Sequence, residues 1–363
     1  MSVRTERRRT SIAIALTAGI TAGLGLVLTG CGSDGASGAA GADSSATSGA
    51  TPSTTSGSGS AADGKTGNAA TGNDGATSRP AADSAHKTTP PLNGTSRNGL
   101  TISDGTRYVV MNGTRVDFGT AVRDLAWSPD GKKAAFVDGD GDLVVSNPDG
   151  SGRTVVAKNP GGQNWSHPTW QVRKAVPANG LPGLDNLIFA GRAGGVSKLY
   201  GVPATGHNAK PTVLRLGHES GEGTKPVPQT GNVWPSAAGV YGSSVYANAD
   251  GQVYIRDDYL RQQGAPIGKG SEPAASPVDD ESFVFVRSVG GHDHLFRETS
   301  TGTGPVFKDL TPNATTDYTE PAYSPDGKTI AARTPNGIVT LPADGSKAPV
   351  KVSGYLGLPA YRA

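Results

Sequence analysis

Two stretches of this chain read almost alike: AWSPDGKKAAFV, from Ala126 to Val137, and AYSPDGKTIAAR, from Ala322 to Arg333, 196 residues further on. Each sets a Ser-Pro-Asp-Gly turn between two short apolar runs. Pro129 suits the first corner of a type I turn, and Asp130 and Gly131 suit the next two positions. A chain that repeats one such unit buries its apolar faces by stacking copies, which removes most folds from consideration.

The unit extends beyond the turn. DLAW before it and KKAAFV after it are strand-like, and DGDGD (Asp138 to Asp142) offers the tight Asp-Gly connection of a hairpin. LVVSN, the PDGSG turn and RTVVAK complete four short antiparallel strands between Asp124 and Lys158, one blade of a β-propeller. The same frame recurs over Glu320–Ser353, Glu272–Thr299, His167–Gly206 and Trp234–Asp258, with Asp280 standing where the turn glycine is expected. Aligning Trp127, Trp170, Ala237, Ala275, Tyr323 and Tyr361 gives spacings of 43, 67, 38, 48 and 38 residues. The long interval carries an extended loop near Gly217–Val233, and a hidden seventh blade there is the alternative count. The chain ends in LPAYRA, a first strand without its blade, while LTISDG, RYVVMNG and TRVDFG (Leu100 to Gly119) offer the other three strands. The expected fold is therefore all-β: a six-bladed β-propeller of four-stranded antiparallel blades over residues 98–363, closed by its N- and C-terminal strands. Such closure leaves no free sheet edge and ties the ends together without a disulfide.

The pattern [EH]PxxSPDGKxIA resembles the WD40-like repeats called PD40, found in the periplasmic TolB protein and its relatives. The resemblance covers about Leu100 to Ala363. It is specific at Ser128–Lys132 and Ser324–Lys328 and weaker in the middle blades. TolB-like proteins carry an α/β domain ahead of the propeller; this chain has a low-complexity segment there, so the partners of that family are not carried over.

The front of the chain reads as an address. Arg4, Arg7, Arg8 and Arg9 precede an apolar run from Ile12 to Leu28, the layout of an export signal. The run ends in Leu28, Thr29, Gly30 and Cys31, which resembles the bacterial lipobox at every position. That resemblance implies a signal peptide over 1–30, cleavage before Cys31 and a diacylglycerol, carrying acyl chains such as palmitate, on the Cys31 thiol. Two acyl chains suffice for stable anchoring. An ordinary cleaved signal and an uncleaved anchor are the alternatives. The arginine pair also resembles a twin-arginine signal, so both export routes stay open. From Gly32 to Pro91 there is no Val, Leu, Ile, Phe, Tyr or Trp. Such a segment cannot offset its ordering entropy, and residues 31–97 are expected to form a disordered tether. As a flexible coil its sixty apolar-poor residues span roughly 40–45 Å.

Removing residues 1–30 leaves 29 basic and 30 acidic residues, with no basic block of the kind nucleic-acid binding requires. No established catalytic or metal pattern emerges. DGDGD resembles the start of a calcium loop, but Leu143 stands where that loop needs glycine. His292 and His294 share a strand face without a third ligand at metal spacing. GHESG (Gly217 to Gly221) lacks the spacing of a nucleophile elbow. Glu219, Glu222, Glu272 and Glu320 are available for acid–base work; Glu272 and Glu320 begin equivalent first strands, which would either face the channel mouth or hold surface positions that the repeat imposes. Trp127, Trp170, Tyr323 and Tyr361 recur in phase with the repeat, as residues packed between blades do.

The functional expectation is a lipoprotein anchored through Cys31 to the bacterial cell membrane and facing outward. Its propeller binds a protein or an envelope ligand, with no catalytic residue, cofactor or metal assigned. The alternative is a propeller enzyme, a lyase or hydrolase acting on a saccharide or lactone at the channel mouth.

Overall fold

The computed structural model describes residues 91–217, 226–258, 263–301 and 304–363. The expected signal peptide, Cys31, the tether up to residue 90, and Glu219 and Glu222 of the long loop lie outside the described residues.

The chain opens with β1 (Leu100–Ser103), β2 (Tyr108–Met111) and β3 (Thr114–Asp117). The first whole blade follows: β4 (Arg123–Trp127), β5 (Ala134–Val137), β6 (Leu143–Ser146) and β7 (Thr154–Ala157). The second is β8 (Asn164–Arg173), β9 (Leu184–Ala193), β10 (Val196–Pro203) and β11 (Thr212–Val213). The third is β12 (Asn232–Ala237), β13 (Ser244–Asn248), β14 (Gln252–Arg256) and β15 (Gly264–Lys269). The fourth is β16 (Ser271–Ala275), β17 (Ser282–Val289), β18 (His292–Thr301) and β19 (Gly304–Asp309). The fifth is β20 (Thr319–Tyr323), β21 (Thr329–Thr334), β22 (Gly337–Pro342) and β23 (Val350–Ser353), and β24 (Leu358–Tyr361) comes last.

β24 pairs antiparallel with β1, Leu100 opposite Tyr361 and Ser103 opposite Leu358, so the sixth sheet runs β24-β1-β2-β3. This is the closure expected from LPAYRA. The Thr101 hydroxyl donates to the Ala360 carbonyl at 3.0 Å, and Arg362 N–H donates to Gly99 O at 2.8 Å. Arg362 also reaches the first blade, donating to Gly131 O at 2.7 Å with its guanidinium 5.3 Å from the Trp127 ring centroid. The first strands touch in sequence around the ring, β24 to β4, β8, β12, β16, β20 and back to β24. The long interval holds no seventh blade among the described residues; its extra length goes into the ten-residue strands β8 and β9 and the loop after β11. Ahead of β1, residues 92–95 lie on the ring: Asn93 bridges Ser353, Gly354 N–H donates to Leu92 O, and Gly113 N–H donates to the Thr95 hydroxyl.

Middle strands such as AAFV and LVVS are buried at every position, because each sheet is covered on both faces by its neighbours. The contact between the first two blades shows the pattern: Val137, Leu143 and Val156 pack with Trp165, Leu187 and Phe189. Burying a side chain of this size contributes about 1.5–3 kcal/mol.

The Ser-Pro-Asp-Gly turns explain the repeated phrase bond by bond. Gly131 N–H donates to Ser128 O at 2.8 Å, the Ser128 hydroxyl donates to Asp130 Oδ1 at 2.7 Å, and Lys132 N–H donates to that same oxygen at 3.1 Å. Ser324, Asp326, Gly327 and Lys328 form the same bonds at the same distances. The closing glycines sit at φ 67° and 69°, where a Cβ would be strained. In the fourth blade, Asp280 serves the neighbouring turn instead: its carboxylate accepts from Val240 N–H and Tyr241 N–H at 2.9 and 3.2 Å.

Candidate functional site

Each of the first five blades carries a β-bulge in its innermost strand. The register between first and second strands skips two residues: Asp124–Leu125, His167–Pro168, Trp234–Pro235, Glu272–Pro273 and Glu320–Pro321. The first residue of each pair is left-handed, at φ 55°, 51°, 49°, 49° and 49°. A bulge re-aims a side chain, and a non-glycine residue in this region costs about 1–3 kcal/mol. The closing blade has no bulge; Leu358 occupies the equivalent place in unbroken register. Asp124, His167, Trp234, Glu272, Glu320 and Leu358 thus form a ring around one end of the channel, and all six line a cavity of about 350 Å³.

The ring is tied across and along. Second and fifth blades stand opposite each other in a six-membered ring, yet His167 Nε2 lies 3.4 Å from Glu320 Oε1. The indole N–H of Trp234 donates to the same oxygen at 3.3 Å. The side chains of His167, Trp234 and Glu320 therefore meet within the mouth. Between neighbours, Glu320 N–H donates to Glu272 Oε2 at 2.6 Å, and His167 N–H donates to Asp124 Oδ2 at 3.2 Å. The imidazole and indole rings of His167 and Trp234 meet edge to face at 6.0 Å.

Two groups are tuned. Burial, reinforced by the negative charge of Glu320, pushes the Glu272 carboxyl up to about 7. Burial pulls the His167 imidazole down, but the hydrogen bond to Glu320 and the charges of Glu320, Asp124 and Glu272 outweigh it and hold the imidazole above its ordinary value. A carboxyl poised near neutrality beside a proton-rich imidazole can exchange protons with a bound molecule. No Lys or Arg lines the cavity.

Glu272 and Glu320 face the channel mouth as their equivalent positions implied. Asp124, His167, Trp234 and Leu358 complete the ring without having been singled out, although the sequence carries a signal for the last three. His-Pro, Trp-Pro, Glu-Pro, Glu-Pro and Leu-Pro stand three residues ahead of the aligned positions in five of six blades. The interblade aromatics behave as the repeat phase implied: Trp127 donates to the Thr101 hydroxyl at 2.9 Å and Trp170 to Ala126 O at 3.3 Å, each in the preceding blade.

The other motifs are structural. In DGDGD, Asp138 Oδ1 accepts from Asp140 N–H and Asp142 N–H, and Asp142 Oδ1 accepts from Asn159 N–H, so two of the three carboxylates brace the hairpin. His292 and His294 start β18 after the hairpin tip and pair with separate acids, Asp317 at 3.2 Å and Asp309 at 2.9 Å. Among the described residues no three His, Cys, Asp or Glu side chains are grouped to hold a metal ion.

No family model matches the chain, and no curated protein does. Several solved structures resemble it at 12% identity. A nidogen/laminin complex matches with a TM-score of 0.46 over 73% of this chain and 98% of that one. The Cps50 (Swd1) β-propeller domain of Myceliophteria thermophila matches at 0.43 over 66% and 90%. An oligogalacturonate lyase in complex with manganese matches at 0.41 over 66% and 68%.

Proposed function

We propose that this protein is a membrane-anchored extracytoplasmic lipoprotein that presents a TolB-like propeller, and that the propeller binds a ligand at the channel mouth. One observation carries the binding site. Six positions that the repeat makes equivalent hold Asp124, His167, Trp234, Glu272, Glu320 and Leu358, while residues three positions further along are kept for packing. Repetition alone would favour one residue type at all six places. Chemical diversity at a strained, cavity-lining position is what recognition needs, because a rigid scaffold fixes each group relative to the others. The anchor rests on the lipobox-like Leu28–Cys31 and the apolar-poor segment behind it.

A second reading has its own support. Glu272 near neutrality and His167 with a strengthened hold on its proton are an acid–base couple beside a cavity, which suits a lyase or hydrolase acting on a saccharide or lactone.

One experiment separates these readings. The full chain is expressed in a bacterial envelope with wild-type or Cys31→Ser sequence, and with a mouth carrying Trp234→Ala and Glu320→Gln. Cys31→Ser should move the protein from the membrane to the soluble fraction. The mouth variant should stay anchored and lose whatever co-purifies with the wild type. A Cys31→Ser protein that stays in the membrane removes the anchor; unchanged co-purification removes the mouth as the binding site. Turnover of an added polysaccharide or lactone that vanishes in Glu272→Gln would establish the enzyme.

A further inference from the structure

We propose that the mouth takes an organic cation, a primary ammonium or guanidinium group, between the carboxylates of Asp124, Glu272 and Glu320 and against the Trp234 ring. The inference rests on the reading of the mouth as a ligand site and names the chemistry of that ligand.

The charges are one-sided. Three carboxylate side chains and one imidazole line the cavity, and no lysine or arginine side chain lies among them. Each carboxylate uses one oxygen within the ring: Oδ2 of Asp124, Oε2 of Glu272 and Oε1 of Glu320. The second oxygens, Oδ1 of Asp124, Oε1 of Glu272 and Oε2 of Glu320, accept no hydrogen bond among the described residues. Three acceptors left open in the cavity suit a ligand rich in N–H, and a charged donor makes the stronger bond.

His167 Nδ1 is shut off from solvent, and so from the cavity, and the open acceptors are the three carboxylate oxygens. A bare metal ion is the obvious rival, but it needs several ligands within about 2–2.6 Å of one point. No such grouping of three acids or histidines exists among the described residues. A larger cation spreads its charge over several donors and tolerates wider spacing. Trp234 supplies the aromatic ring that organic cations favour.

The groups facing Glu272 are Glu320 on β20, His167 on β8 and Asp293 on β18, and Asp124 faces His167. Protonating the acids removes attraction for a cation, and protonating His167 adds repulsion. Both weaken binding as the pH falls.

The test uses the folded full chain and four probes of one shape: butylammonium, butylguanidinium, butanol and butanoate. A blocked Gly-Lys-Gly peptide tells a protein-borne ammonium from a free amine. Calorimetry and tryptophan fluorescence at pH 8 and pH 5 should show the cations binding at least tenfold tighter than butanol at pH 8, and at least tenfold weaker at pH 5. Near pH 7, heats in two buffers should reveal proton release. Glu272→Gln keeps an acceptor for Glu320 N–H and should lose at least tenfold for the cations while leaving butanol unchanged; Trp234→Phe should weaken the cations without unfolding the chain. Butanol or butanoate binding as tightly as butylammonium, or cation affinity rising toward pH 5, overturns the cation and leaves the mouth as a ligand site. No binding by any probe, with fluorescence and Glu272→Gln silent, overturns both.

Discussion

The innermost strands end in two contrasting ways. At one end, Ser128–Lys132 and Ser324–Lys328 spell the same turn and make the same hydrogen bonds. At the other, the residues at equivalent places differ in charge, size and hydrogen-bonding character, and all but Leu358 hold their backbones in a costly conformation. The turns are where the fold secures its geometry, and sameness there reflects a single structural task. The bulged end is free to vary because its side chains point at a cavity rather than at one another's packing. Function lives in sites grafted on a fold, and the site proposed for this one sits where the repeat is broken.

The largest expected effect lies at the turns. Asp130→Ala and Asp326→Ala each remove an acceptor used by a serine hydroxyl and a backbone N–H, and each should cost about 1 kcal/mol of stability. The sites lie in separate blades, so the double variant should lose about 2 kcal/mol, read as a lower urea midpoint. If changes at the mouth cost as much, the contrast between the two ends fails.

Of similar or smaller size, and opposite in sign, is the effect of Glu272→Gln. The folded value of Glu272 lies above the ordinary carboxylate value, so ionisation opposes the fold. The stability of the neutral form is complete below about pH 4.5 and is lost as the pH climbs toward 7. Glu272→Gln should therefore match the wild type in acid and exceed it by about 1–2 kcal/mol at pH 8. Equal midpoints at pH 8 would mean that Glu272 is ionised in the fold at no cost.

The smallest effect is expected at His167. Its folded value is raised, so the bridge to Glu320 stabilises the fold fully below the unfolded value near 6.5 and is lost as the pH rises through the folded value. Replacement by Gln should cost less than about 1 kcal/mol at pH 6 and nothing at pH 9. A cost that stays constant with pH would make His167 a packing residue.

Much of the fold could be read from the sequence because it is written locally. A turn of four residues and a hairpin of five specify themselves, and the truncated LPAYRA pointed to its partner strands at Leu100–Gly119. The mouth was only partly readable. Glu272 and Glu320 stood out through equal phase, whereas the contact of His167 with Glu320 joins residues 153 positions apart on opposite blades. No local rule encodes that meeting; it exists only once the ring has closed. The role of Asp280 was hidden for the same reason, since its bonds fall on the preceding blade.

Leu358, the one member of the mouth ring without a bulge, gives the opening a bearing. It stands opposite Trp234, while the charged members occupy the remaining four places. A six-fold ring would admit a guest in six rotations with equal ease; this one has a greasy diameter crossed by charged ones. On the proposed reading, a guest with an apolar side would turn until that side lay along this diameter, so a scaffold built from copies would favour some headings over others.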